Sequence, residues 1–226
     1  MGKEKKKVVK INTCESLKAM YYSGKVKASL NRIIAELEKD PENLELALLA
    51  CQCLVRTKDI DKLSFYADVV IKLAPKIAEG YYYKGLVLQH AKGKEQEALK
   101  NFNEALILDP DNTTYLKSKA NTHFLLYTDY HLPLKFAEKH RAKAEDGLLK
   151  VVELIEQKEN PDYADFLSIA DVLILLSKGI QAKKYYIKAV DAYNASDESN
   201  QDKNIYKDII KAQNACEKLL DKIIEE

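Results

Sequence analysis

Glycine and proline are scarce in this chain. Its 226 residues include only 7 Gly and 5 Pro. A β-sandwich or a doubly wound α/β sheet needs more turn residues than that, so the balance points to helices joined by short turns. A surplus of either charge is also missing. Lys and Arg number 36 against 35 Asp and Glu, a net charge of +1, and no basic excess drives nucleic-acid binding. Long apolar runs are missing too. None approaches the roughly 18 residues that a membrane helix requires. Lys3, Lys5, Lys6, Lys7 and Lys10 make a basic start, but Asn12, Cys14, Glu15 and Ser16 interrupt any apolar stretch behind it. Residues 1–9 therefore read as a solvated basic tail, or as a nuclear or membrane-surface patch, and not as a secretory signal. Lys6 also breaks the N-myristoylation pattern behind Gly2.

Chemistry-bearing motifs are equally thin. Cys51 and Cys53 form a lone C-x-C, with Cys14 and Cys216 far from it. That is no zinc spacing, and buried free thiols in a reducing cytosol are expected. His90, His123, His131 and His140 occur in no metal-binding arrangement. The glycines are isolated, so there is no phosphate loop, and no G-x-S-x-G elbow is present. Carboxylates stand beside basic residues on helix faces, as in "KEQEALK" and "AEKHRAKAED", which is the pattern of solvated i,i+4 pairs. We expect no catalytic residue, no cofactor, no metal, and a cytoplasmic location.

What the chain does have is a helical pattern with a period. Hydrophobic residues make up 46% and charged residues 31%, a balance that suits a folded protein. A chain of this size buries roughly 70% of its unfolded surface. Pro41, Pro75, Pro110 and Pro161 each close a helical stretch, in the contexts "LEKDPEN", "IKLAPKI", "LILDPDN" and "EQKENPD". Their spacings are 34, 35 and 51 residues, and two successive spacings near 34 signal an internal repeat.

The stretch 78–112, "AEGYYYKGLVLQHAKGKEQEALKNFNEALILDPDN", carries the pattern most fully. Tyr81 and Gly85 fall in a first helix; Ala98, Phe102 and Ala105 fall in a second, and Pro110 closes it. This resembles the tetratricopeptide repeat (TPR), with Lys84 where Leu is usual and one extra residue in the turn. The small residues are needed where paired helices cross closely, with Phe102 filling the gap. Repeat 44–77 matches with Leu63, Ala67, Val70 and Pro75, and places Cys51 at the glycine position. Repeat 10–43 has Gly24, Ile33 and Pro41, with Ser29 and Glu36 in place of the alanines. Repeat 162–195 has Ala182, Tyr186 and Ala189, and "NASDESNQD" breaks it without a proline.

Repeat 113–161 is the exception. Its second helix, from Leu134 to about Lys158, sets Ala137, Arg141 and Ala144 at the usual offsets. The 51-residue spacing adds about 25 Å of helix, expected to project beyond the repeat stack as an insertion or a partner-binding extension. Gly147 in its middle is a candidate break. Residues 202–226 show Ile205, Ile209, Ala212, Cys216, Leu219, Leu220 and Ile223 at helical spacing, which fits a C-terminal capping helix. The expected fold is all-α: a right-handed superhelical solenoid of about five antiparallel helix pairs over 10–195, with that cap.

The resemblance also implies a role. TPR proteins hold partner peptides in a concave groove lined by the first helix of each repeat. Carried over, groove positions fall on Tyr21, Tyr22, Gln52, Arg56, Tyr82, Gln89, His90, Lys117 and Asn121. Tyrosine suits the task, offering a large ring and a hydroxyl at low entropic cost. The run Tyr81–Tyr83 is expected to place at least one ring in the core and one in the groove. Lys117 and Asn121 also resemble the first half of the K-x-x-x-N clamp with which co-chaperone TPR domains grip the C-terminal carboxylates of the Hsp70 and Hsp90 chaperones. Ser168 stands where the clamp's second Asn belongs, and Lys207 and Lys211 are spaced like its remaining cations. The readings are thus an adaptor for a protein or peptide partner, a carboxylate clamp, or a structural subunit of a larger assembly. Neither a nucleic acid nor a membrane is expected as partner, and the chain is expected to be monomeric or weakly self-associating.

Overall fold

The computed structural model describes residues 14–129, 131–196 and 203–225. The basic start, residues 1–9, and most of the polar breaker after Ala195 lie outside the described residues. All regular structure among the described residues is helical. The first five helices are α1 (14–22), α2 (Val26–Lys39), α3 (Leu44–Thr57), α4 (Ile60–Leu73) and α5 (Ala78–His90). The next three are α6 (Glu95–Leu108), α7 (Thr113–Tyr127) and α8 (Leu134–Glu156). The last three are α9 (Tyr163–Leu175), α10 (Gly179–Ala195) and α11 (Lys203–Glu225). The chain divides between Leu126 and Tyr127 into two compact units. In the first, α2, α3, α4 and α5 each pack on the helix that follows, and in the second α8 packs on α9, α9 on α10 and α10 on α11.

Proline sets the junctions between repeats. A residue before proline is steered away from helical dihedrals. Asp40, Ala74 and Asp109, each preceding a proline, end α2, α4 and α6 in nearly one conformation, with φ/ψ of −142/75°, −145/76° and −143/83°. Each such turn closes with a backbone bond three residues on: Asn43 N–H to Asp40 O, Ile77 N–H to Ala74 O, and Asn112 N–H to Asp109 O. Where the motif is D-P-x-N, the asparagine amide also donates to the aspartate, at 3.1 Å for Asn43 and 2.9 Å for Asn112. The same asparagines cap the next helix, accepting from Leu46 N–H and Tyr115 N–H.

Turns within the helix pairs use a different device. Gly24, Lys58 and Ser177 all adopt left-handed backbone, with φ of 80°, 59° and 57°. Each sits in a Schellman closure, with bonds from Lys25 to Met20, Asp59 to Leu54 and Lys178 to Leu173. Gly93 is left-handed too, but the extra residue in its turn replaces that closure with Lys94 N–H to Ala91 O.

The core of the first unit follows the small-residue pattern. Ala67, Ala98, Phe102 and Ala105 are wholly buried. A Cβ placed on Gly85 would sit 2.6 Å from the Phe102 ring, so only glycine admits that ring. A Cβ on Gly80 would meet Ile71 at 2.9 Å. Ser29 occupies an alanine position with no exposure and satisfies its hydroxyl by donating to Leu17 O at 2.9 Å. Lys84, where Leu is usual, lays its stem on the surface and carries its ammonium to Asp68 at 2.8 Å.

In the second unit α8 runs unbroken through Gly147. Its register differs from expectation. Arg141 is exposed and pairs with Glu145 at 3.0 Å. The wholly buried set at the repeat spacing is Ala144, Leu148 and Val151, one heptad later. The surplus turns are therefore those at the start of α8, where Leu134 and Phe136 stand exposed. The C-terminal turns, with Val151 and Ile155 buried, do not project. Ala182, Tyr186 and Ala189 of α10 are buried as the repeat pattern requires. α11 packs on α10 as the capping helix and buries Ile209 and Cys216.

Candidate protein-binding surfaces

In the first unit, polar and aromatic contacts tie the first helices of successive repeats together. Lys18 of α1 reaches Glu45 of α3 at 2.6 Å, a bond that lowers the Glu45 carboxyl and raises the Lys18 ammonium from their ordinary values. Near the C-terminal end of α1 the Arg56 guanidinium lies 5.0 Å above the Tyr21 ring. Tyr21 in turn meets Tyr22 edge to face, with ring centroids 5.2 Å apart. Tyr22 is 73% exposed and Arg56 is exposed, while Tyr21 is half-buried against the core. Gln52 lies one turn before Arg56 on α3 and is half-buried between the buried Cys51 and Cys53. The structure thus brings Tyr21, Tyr22 and Arg56 into one corner.

The α5 residues point mostly inward. Tyr83 joins the core cluster of Cys51 and Leu54. Tyr82 lies between Phe102, 6.2 Å away, and Tyr115 of α7, 4.8 Å away. Tyr81 is half-buried and its hydroxyl donates to Pro75 O at 3.2 Å. None of the three rings is exposed, and burial raises the phenols of Tyr82, Tyr83 and Tyr115 above their ordinary value. Gln89 donates to Thr122 Oγ1 at 2.9 Å and to Ser118 O at 3.3 Å, so it fastens α5 to α7. His90 ends α5 and is exposed. Lys117 and Asn121 stand one turn apart on α7, both half-buried. The other clamp positions, Ser168, Lys207 and Lys211, belong to the second unit, on α9 and α11.

The thiols are chemically quiet. None of the four cysteines forms a disulfide, and all four are buried. Burial pushes the Cys51 thiol up to about 12. Burial and a hydrogen bond to Glu45 push Cys14 up to about 11. Both stay protonated near neutrality, and a protonated thiol is neither nucleophile nor metal ligand. Among the described residues no group of three or more His, Cys, Asp or Glu could hold a metal ion, and no helix is long and apolar enough to cross a membrane.

Four contributors, Tyr115, Thr122, Tyr206 and Asn214, escaped the sequence reading. Tyr115 and Thr122 complete the α5–α7 contact. Tyr206, Ile210, Asn214 and Lys218 share one side of α11 with Lys207 and Lys211 and line a shallow groove. A helical-wheel plot of α11 separates this set from the buried one, since the residues recur at i, i+4 and i+8.

This geometry defines a helical repeat protein, and the comparison with solved structures narrows the class. TTC0263, a thermophilic TPR protein of Thermus thermophilus, matches with a TM-score of 0.64 at 16% identity, over 88% of this chain and 97% of that one. A MamA protein matches at 0.52 and 15% identity, over 81% of this chain and 91% of its own. MamA 41-end from Desulfovibrio magneticus RS-1 matches at 0.51 and 14% identity, over 82% and 96%. No family model and no curated protein sequence matches the chain. The fold is TPR-like: an all-α solenoid of helix pairs with a C-terminal capping helix.

Proposed function

We propose that this protein is a non-enzymatic adaptor that holds an extended or helical segment of a partner protein against the first helices of its repeats. The observation that supports it best is the corner on α1 and α3. Arg56 is braced over Tyr21, and Tyr22 beside it leaves most of its ring in water. An exposed tyrosine next to a pre-positioned guanidinium is the composition of binding hot spots. Such a corner takes an apolar side chain on the ring and a carboxylate or carbonyl on the guanidinium. Gln52, His90, Lys117 and Asn121 continue the proposed surface along α3, α5 and α7, while Tyr82 and Gln89, expected on it, are taken up by the α5–α7 contact.

The test is site-specific photocrosslinking in cell lysate, with the photoreactive residue at Tyr22 or, as a control on a second helix, at the exposed Phe65 of α4. A discrete partner crosslinked from Tyr22, absent from Phe65 and lost with Arg56→Ala, is the expected result. Equal products from both positions, or products from Phe65 alone, overturn the assignment. In the same lysate, salt-sensitive capture of Hsp70 or Hsp90 that Lys117→Ala/Asn121→Ala abolishes would replace it with the carboxylate clamp.

A further inference from the structure

The capping helix has a second face that its packing does not use. α11 turns Ile209 and Cys216 into the protein, and Lys183 of α10 draws Glu217 to 3.1 Å. On the opposite side Lys207, Lys211 and Lys218 fall within roughly 40° of one another around the helix axis, over about 16 Å of its length. They line a shallow groove with Asn214, and Tyr206 and Ile210 form its apolar border. Among the described side chains no carboxylate lines the groove and none pairs with these three lysines.

This is not how a solvated face is usually built. α8 shows the ordinary arrangement, with Arg141 set between Glu138 and Glu145 on one stripe. Like charges one turn apart repel. A cap that only ends a solenoid needs a polar outer face, not a segregated one bordered by a tyrosine and an isoleucine. The pattern is complementary to a ligand that brings carboxylates and apolar groups at the same helical spacing.

We propose that this face docks an acidic amphipathic helix of a partner protein. Its carboxylates meet Lys207, Lys211 and Lys218, its apolar side chains lie on Tyr206 and Ile210, and the Asn214 amide donates between them. A protein helix is favoured over a phosphate polymer because the cations form one narrow stripe with an apolar edge, on a chain whose net charge is only +1.

The probe is a fluorescein-labelled synthetic helix of Glu, Leu and Ala, with Glu at i, i+4 and i+11, read by anisotropy with the full chain. Its Lys-for-Glu counterpart is the control peptide. The acidic helix is expected to bind, the basic one not, and added salt should weaken the complex. Lys207→Glu/Lys211→Glu/Lys218→Glu should lose at least about tenfold in affinity, since three attractive pairs become repulsive. Lys211→Gln should lose less, and both variants should keep the wild-type helical circular dichroism. An acidic helix that fails to bind, or that binds the triple variant equally well, overturns the proposal. So does tighter lysine-dependent binding to phosphatidylserine vesicles or to single-stranded DNA. The crosslinking from Tyr22 reports on other residues in the other unit, so either assignment can fail without the other.

Discussion

The two units cross their paired helices on the same small buried residues but differ in what is added to that fit. In the first, the fit is steric. Gly85 has no room for a Cβ beneath Phe102, and Ala67, Ala98 and Ala105 are buried without remainder. In the second, buried alanines at the α9–α10 crossing are joined by polar and aromatic ties, and further ties run between neighbouring repeats and along α10. Tyr186 of α10 donates to Asp171 of α9 at 3.1 Å, Tyr185 donates to Glu156 of α8, and Lys158 pairs with Asp165 at 2.5 Å. The Lys188 ammonium lies 4.8 Å from the Tyr185 ring centroid and 5.7 Å from that of Phe166. A repeat pattern therefore specifies where helices cross, while the force at the crossing is left to local residues. Steric fit is indifferent to salt, whereas ion pairs and cation–π contacts at partly exposed sites are not.

The largest test of that contrast is Phe102→Ala. It empties the space that Gly85 keeps open, and should cost about 3–5 kcal/mol in urea denaturation. Gly85→Ala should be harmful beside Phe102 and tolerated beside Phe102→Leu, because the clash is with the ring. Ala98→Leu or Ala105→Leu should overpack the same crossing at a cost of about 1–3 kcal/mol. An unchanged midpoint for either would show that the crossing is looser than the distances state.

Alkaline pH probes the first unit differently. Cys14 and Cys51 have folded values of about 11 and about 12 against an ordinary 9.0. Above pH 9 the unfolded chain sheds these protons while the folded chain keeps them. Stability contributed by the buried thiols is thus complete below pH 9 and is lost as pH rises from 9 toward 12. The slope approaches about 1.4 kcal/mol per pH unit for one thiol. Urea midpoints of wild type and Cys51→Ala across pH 8–11 measure it. Equal slopes in the two proteins would remove Cys51 from the account.

How much of this was legible beforehand depended on whether a residue type dictates its own geometry. Gly85, Ala98, Phe102 and Ala105 were readable because close crossing tolerates few alternatives. Pro41, Pro75 and Pro110 were readable because proline dictates the backbone before it. The register of α8 was not, since Ala137-Arg141-Ala144 and Ala144-Leu148-Val151 satisfy the same spacing one heptad apart. Only burial distinguishes them. The corner of Tyr21, Tyr22 and Arg56 was legible as separate groove positions, but the stacking of Arg56 on Tyr21 depends on how α1 and α3 are seated. The lysine groove of α11 was not legible as a docking face, because which side of α11 stays open depends on how the helix seats on α10.

A smaller effect tests the second unit. Tyr186→Phe removes the donor to Asp171 while keeping the buried ring, and should cost about 1 kcal/mol. The matching substitution in the first unit, Tyr81→Phe, removes only a bond to the exposed-edge carbonyl of Pro75. It should stay within about 0.5 kcal/mol. If the two substitutions cost the same, the polar ties of the second unit contribute no more than surface hydrogen bonds do.

The smallest effect is a gain, and it tests what the two units share. Lys58 and Ser177 hold left-handed backbone in the Schellman turns of α3–α4 and α9–α10, one in each unit, where Gly24 does so without strain. A side chain costs roughly 1 kcal/mol there, partly offset by the lower unfolded-state entropy of a non-glycine residue. Lys58→Gly and Ser177→Gly should each stabilise the protein by about 0.5 kcal/mol, and Gly24→Ala should destabilise it by a similar or larger amount. The Lys58 ammonium enters no ion pair among the described residues, so its removal does not obscure the backbone term. A loss of stability in both glycine variants would mean that the turns are held by their side chains. A gain in only one would show that the units differ in their turns as well as in their cores.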